Sequence, residues 1–254
     1  MIRGFFSALA FLTIVPIPEK LKSRRESGMF AGYPPAGLAI GAFLSAFLFA
    51  AQLLFPLPLA VALLLAVSLF VTGAIHLDGL ADCADAFYGR RDRETILRIL
   101  KDPRIGTMGG VAIGLSLLVR YSALVSLPPR IICLALPLCT MLARTAVIIA
   151  LRVLPYVRAT EGTLAATTRA SPLLVAGGIV AAALAAALLP IPTAAALVAL
   201  AVFWLVSRKK IGGCTGDVLG ATIEIAEISF LAALAAAVKT GTLWGALQAL
   251  FPAR

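Results

Sequence analysis

The chain has 254 residues, 61% of them hydrophobic and only 13% charged, with a mean hydropathy of +1.02. A water-soluble domain of this size is about 45–50% apolar and about 25% charged, so a single aqueous core is excluded and lipid is the expected solvent. The formal charge of +10 comes without the aromatic–basic interleaving of a nucleic-acid reader. It is read as the basic bias of membrane-facing loops and their attraction to anionic lipid, with no nucleic-acid partner.

Taken in order, residues 4–15 form an apolar run too short for a span of about 20 residues, and Pro16 and Pro18 end it. A short interfacial helix kept in the mature chain is predicted there. After a basic loop (Lys20, Lys22, Arg24, Arg25) the apolar runs predict spans over Ala36–Phe55 and Leu59–Ile75, joined by a tight turn at Pro56 and Pro58. A long polar segment follows. Then come Met108–Leu127, Ile131–Leu151 with a kink at Pro137, Pro172–Leu189, a short span Thr193–Val206, and Leu219–Val238. Thr240–Phe251 is a candidate interfacial helix, with Trp244 at head-group depth. The expected fold is all-α, a polytopic membrane helix bundle of about seven spans plus short interfacial helices. It forms one domain over residues 1–254, with no internal repeat. Cys83, Cys133, Cys139 and Cys214 form no CxxC pair and are read as reduced packing residues.

The polar connections 16–32, 76–107, 152–171 and 207–218 hold most of the 22 lysines and arginines, whereas the turns at 56–58, 128–130 and 190–192 hold only Arg130. Polar connections and bare turns alternate, so the former share one side of the membrane. The positive-inside rule makes that side cytoplasmic.

Between His76 and Gly110 lie the single histidine and half of the twelve carboxylates. Asp78, Asp82 and Asp85 are spaced i, i+4, i+7, which puts them along one helical face. Three carboxylates on one stripe repel unless a cation sits among them, and oxygen-only ligands suit Mg²⁺ or Mn²⁺ accompanied by phosphates. A solvated acidic face would carry Lys and Glu. This one is interleaved with Gly79, Leu80, Ala81, Cys83 and Ala84. His76 is either a hydrogen-bonding anchor or a proton acceptor. Arg93–Lys101 reads as a basic amphipathic helix lying on the membrane. Lys101, Asp102 and Arg104 precede a glycine-rich helix start at Gly106 and Gly109-Gly110, where free N–H groups favour anions. Inside the last span, Glu224 and Glu227 share a face with Asp217 two turns before. Acids at such depth face the bundle interior, to complete a site or to pair with an arginine such as Arg144. Arg120 is placed nearer the far side, to snorkel. Acids for a divalent ion, cations for phosphates and no Ser–His or Cys–His pair point to phosphoryl or nucleotidyl-type transfer.

HLDGLADCADA, then RDRETILRILKDPRIGTMGG, and later GGCTGDVLGATIEIAE resemble the cobalamin (5′-phosphate) synthase family, the adenosylcobinamide-GDP ribazoletransferases. The likeness extends to Val15-Pro16-Ile17-Pro18, Tyr33-Pro34 with Gly37, Arg144, and Pro155-Tyr156 followed by Arg158. It departs at Ala86, Pro103 and Cys214 and keeps every carboxylate. The resemblance implies an Mg²⁺-dependent inner-membrane enzyme with its active site on the cytoplasmic side. That enzyme joins the cobinamide phosphate of adenosylcobinamide-GDP to a ribose hydroxyl of α-ribazole or its phosphate and releases GMP. It implies Asp82, His76 and Asp85 as catalytic, and Asp78, Asp82, Asp85 and Asp102 as metal ligands. Lys101, Arg104, Arg144, Arg158, Asp217 and Glu227 would contact substrate. Further partners compatible with it are a second copy of the chain or a corrinoid-enzyme complex. The competing expectation is a secondary transporter with Glu224, Glu227 and Arg144 as an intramembrane site.

Overall fold

The structure is a computed structural model that describes residues 2–23, 26–157 and 172–242. Among these residues the chain is helical throughout, with no strand beyond an isolated bridge between Tyr156 and Cys214. The helices are α1 (Ile2–Leu12), α2 (Glu26–Ala31), α3 (Tyr33–Gln52), α4 (Leu57–Thr72), α5 (Ile75–Phe87), α6 (Arg93–Ile99), α7 (Thr107–Val125), α8 (Pro129–Val153), α9 (Pro172–Leu188), α10 (Pro190–Ile211) and α11 (Gly216–Lys239). The seven expected spans match α3, α4 and α7 to α11 one for one. Helix α9 starts at Pro172 as expected and the others start earlier, α3, α4, α8 and α10 because prolines open helices rather than filling turns. A proline in the first turn loses no hydrogen bond and has its φ preset. The span expected to be short, α10, is 22 residues long because Ser207–Lys210 continue it to Gly212. Its last turn carries Arg208, Lys209 and Lys210 against the negative helix end. Trp244 lies outside the described residues, as does most of the expected C-terminal interfacial helix.

Five helices (α3, α7, α8, α10 and α11) are long and apolar enough to cross a membrane. Helices α4 and α5 meet that test only as a pair, and they are bent by 89° at their junction. The acidic segment therefore does not run on from its span but turns across it. Gly73 (φ 59°) ends α4 in the left-handed region, and Ala74 (φ 55°) repeats that conformation at a cost for a residue with a Cβ. The Ala74 amide donates to Leu69 O (3.0 Å) and the Ile14 amide to Val71 O (2.8 Å), so the freed carbonyls of α4 are satisfied. That second bond also ties the stretch after α1 to the elbow.

Helix α8 is the central post, buried along most of its length and running unbroken through Pro137. Its seam with α3 depends on two glycines one turn apart. A Cβ at Gly37 would lie 2.5 Å from Thr140 O, and one at Gly41 would lie 2.5 Å from Pro137 Cα and 2.6 Å from Leu136 O. Small residues at this spacing let two backbones touch where lipid offers no hydrophobic drive. Thr140 Oγ1 then donates across the seam to Gly37 O (2.7 Å), and Ser45 Oγ to Cys133 O (2.9 Å). Outward, Phe49, Phe70, Leu118, Val202 and Leu205 are more than half exposed, a belt that only an apolar solvent accommodates. All four cysteines are free thiols.

Helix α6 differs from expectation. Ile96 and Leu100 are buried in the protein core rather than in lipid, and Arg93 Nε donates to Ile211 O (2.8 Å) at the end of α10. Its apolar side is covered by its own chain.

Gly41→Leu is expected to overpack the α3–α8 seam and destabilise by about 1–3 kcal/mol. Gly114→Leu, with nothing within 4 Å of a Cβ, should leave melting in detergent micelles almost unchanged.

Candidate active site

Two glycines set the site. A Cβ at Gly79 on α5 would lie 2.7 Å from Asp217 O and 3.2 Å from Gly220 Cα, and one at Gly220 on α11 would lie 3.3 Å from Ile75 O. With hydrogen in place of methyl, α5 and α11 cross backbone on backbone. Asp78 and Asp217 then line a single cavity of about 400 Å³, together with His76. Thr215 caps α11 by accepting from the Val218 amide (3.4 Å) and donates to Asp217 Oδ2 (3.1 Å), which orients that carboxylate. Just before α11, Cys214 N donates to Pro155 O (2.8 Å) and Val157 N to Cys214 O (2.9 Å), pinning the end of α8 to the start of α11. Asp82, half-buried one turn beyond Asp78, acts electrostatically with Asp217 on the buried Cys83 thiol. These two acids therefore share a neighbourhood.

Asp85, at the end of the stripe, has a different task. Its Oδ2 accepts from the Gly106 amide (2.7 Å) and its Oδ1 from the Gly109 amide (2.9 Å), so it caps the N-terminus of α7 from another helix. The anion expected at that glycine-rich start is thus the chain's own carboxylate. Cβ atoms at Gly106 or Gly109 would collide with it, which is why those positions are glycine. Asp102 is gripped by Arg104 through Nε to Oδ1 (2.9 Å) and Nη2 to Oδ2 (2.6 Å). Those bonds push its pKa down to about 2, so it stays ionised at any working pH. Among the described residues no three of His, Cys, Asp or Glu gather into a metal-holding group. Of the expected set Asp78, Asp82, Asp85 and Asp102, two members are turned to other partners here, Asp85 to the Gly106 and Gly109 amides and Asp102 to Arg104. Lys101 is exposed beside that pair. Arg158 lies outside the described residues.

Behind the cavity is a buried ionic quartet. Arg120 pairs with Glu224 (Nη1 to Oε2, 3.1 Å) and with Glu227, and Arg144 pairs with Glu227 on its other oxygen. Ser116 Oγ donates to Glu224 Oε2 (3.3 Å). Two arginines against two glutamates leave no net charge. Arg120 does not snorkel but closes the network. Arg144 and Glu227, expected to meet substrate, are engaged with each other and do not line the larger cavity. A void of about 20 Å³ lies against the quartet, and His76 lines both it and the cavity. His76 is 5% exposed, and its Nε2 has no partner among the described residues.

The sequence profile described as cobalamin-5-phosphate synthase matches residues 4–235. This chain belongs to that family. A protein of Chlorobaculum parvum named adenosylcobinamide-GDP ribazoletransferase is 35% identical over 245 residues, covering 92% of this chain and 96% of its own. One of the same name from Rhizobium etli is 40% identical over 250 residues, covering 91% and 95%. A third, from Chlorobaculum tepidum, is 34% identical over 254 residues, covering 96% and 99%. No solved structure matches the chain. As a synthase of this family the chain is a transferase, and its apolar helices make it a multi-pass membrane protein.

Two outcomes follow from this geometry. Asp85→Ala orphans the buried Gly109 amide, at about 1–3 kcal/mol, and returns the exposed Gly106 amide to water, so hydrogen exchange at both should accelerate. Asp85→Asn, which keeps an acceptor, should lose less. Glu227→Gln should destabilise by about 3–5 kcal/mol in a denaturation series, and adding Arg144→Met should recover much of that loss.

Proposed function

We propose that this synthase transfers the adenosylcobinamide phosphate of adenosylcobinamide-GDP to a ribose hydroxyl of α-ribazole or its 5′-phosphate. The chemistry is a displacement at phosphorus. The ribose oxygen bonds to the phosphorus that bears cobinamide, the bridging P–O bond breaks, GMP leaves, and the hydroxyl proton passes to the protein. Two carboxylates from different helices on one cavity, Asp78 and Asp217, carry this assignment, with Asp82 next along the stripe. Ions of the Mg²⁺ type keep several waters and take one or two carboxylates plus substrate phosphates, a number that Asp78 and Asp217 supply. Asp78 and Asp217, with Asp82 beside them, would hold Mg²⁺, which when bound neutralises charge on the phosphates.

The chain's own residues divide the remaining work. Lys101 and the exposed cations of the 88–106 stretch offer the donor's phosphates a positive rim. Asp82 or His76 takes the proton, and the apolar walls keep bulk water from competing with the ribose hydroxyl. The basic polar connections support placing this face toward the cytoplasm, at the inner membrane. A secondary transporter is not favoured, because its Glu224, Glu227 and Arg144 site is a closed set of ion pairs.

In membranes carrying the chain, GMP release from adenosylcobinamide-GDP should require α-ribazole and be abolished by chelation. Asp82→Asn and Asp217→Asn should each lower it by roughly 100-fold or more while the protein still inserts. Full release from Asp82→Asn would remove that residue from the mechanism, and flux into liposomes without release would return the transporter.

A further inference from the structure

We infer that the cavity at the α5–α11 crossing is the acceptor subsite, built for a nucleoside with an apolar bicyclic base, and that the nucleotide-bearing donor lies outside it along the acidic stripe. This rests on the transfer reading given above and says which reactant the cavity takes. Size comes first. A cavity of about 400 Å³ is of the class that encloses one small molecule. A corrin macrocycle with its nucleotide is several times larger, and only its reacting end could enter.

Lining comes second. Part of the lining is apolar and partly aromatic, with Phe11, Tyr33, Val147 and Ile223 on the wall. The Phe11 and Tyr33 rings stack at 6.4 Å and 27°. Phe11 is 43% exposed and Tyr33 is 2% exposed, so the pair offers a planar base one open face on a fixed backing. The rest includes the polar side chains of His76, Asp78 and Asp217. His76 Nε2, nine-tenths buried and unpartnered among the described residues, is what a ribose hydroxyl would complete. An apolar head with a polyhydroxyl tail fits that division. A guanine nucleotide does not, because it would bring a polar base to the apolar wall.

Direction comes third. From Asp78 the stripe runs about 10 Å along α5 to Asp85, which holds the start of α7 next to Arg104 and Lys101. The cations therefore stand at the end away from the cavity. A donor diphosphate lying along the stripe reaches them, with its cobinamide phosphorus at the Asp78 end, facing the hydroxyl.

The test uses the full chain in lipid nanodiscs with α-ribazole as the probe, with neither corrinoid nor metal present. Saturable binding is expected by calorimetry. Ile223→Trp, which puts a bulky ring on the cavity wall, and Phe11→Ala, which removes the exposed ring, should each weaken it roughly tenfold. In turnover the same variants should raise KM for α-ribazole by a similar factor and leave KM for adenosylcobinamide-GDP unchanged. Thermal melts serve as the check on folding. If KM for the donor rises instead, or neither moves in a folded variant, the acceptor assignment is overturned. Binding that Ile223→Trp blocks, in a protein that releases no GMP, would uphold the subsite and overturn the transfer reading instead.

Discussion

Everything at this site depends on two helices being allowed to touch. Gly79 and Gly220 remove the side chains that would hold α5 and α11 apart, and the contact moves Asp217 alongside Asp78. Neither helix alone presents more than its own acids. Carboxylates that approach one another repel, and the close crossing holds them there by backbone packing. Helix α8 supplies the counter-support, since it packs against both α3 and α11 and is anchored by its own glycine seam.

The ionic quartet is the second fixed element. Four charges out of water cost more than any single pair returns, so such groups persist only when each is matched. Here Glu227 divides its two oxygens between Arg120 and Arg144, and Glu224 takes the remaining arm of Arg120. The result is a rigid, neutral plug that α7, α8 and α11 all contribute to. It lies behind His76, with which it lines one small void.

Much of this was legible in the residues. Apolar runs marked each long helix, and the i, i+4, i+7 acids marked one face of α5. Boundaries were displaced because Pro58, Pro129 and Pro190 look like breakers yet sit in first turns, where a missing amide costs nothing. The partners of Arg120 were not legible. Its position within an apolar run says only that it is buried or reaches an interface, and the bundle decides which. Asp85 was half legible. The helix start at Gly106 asks for an anion, but that the anion lies 21 residues upstream is a tertiary fact. The same holds for Asp102, whose neighbour Arg104 could have faced a phosphate and instead faces the acid two residues before it.

The elbow between α4 and α5 has a consequence for how a bulky, water-soluble reactant meets a lipid-embedded protein. Bent by 89° from α4, the acidic helix lies across its neighbour, like a sill. Functional groups along a sill can be approached broadside from the aqueous phase. A macrocycle far too large and polar for the hydrocarbon interior can thus stay in water while only its reactive end leans over the edge. Two left-handed residues, Gly73 and Ala74, make that right angle. The strain at Ala74 is the local cost of turning a would-be transmembrane row of acids into a landing surface.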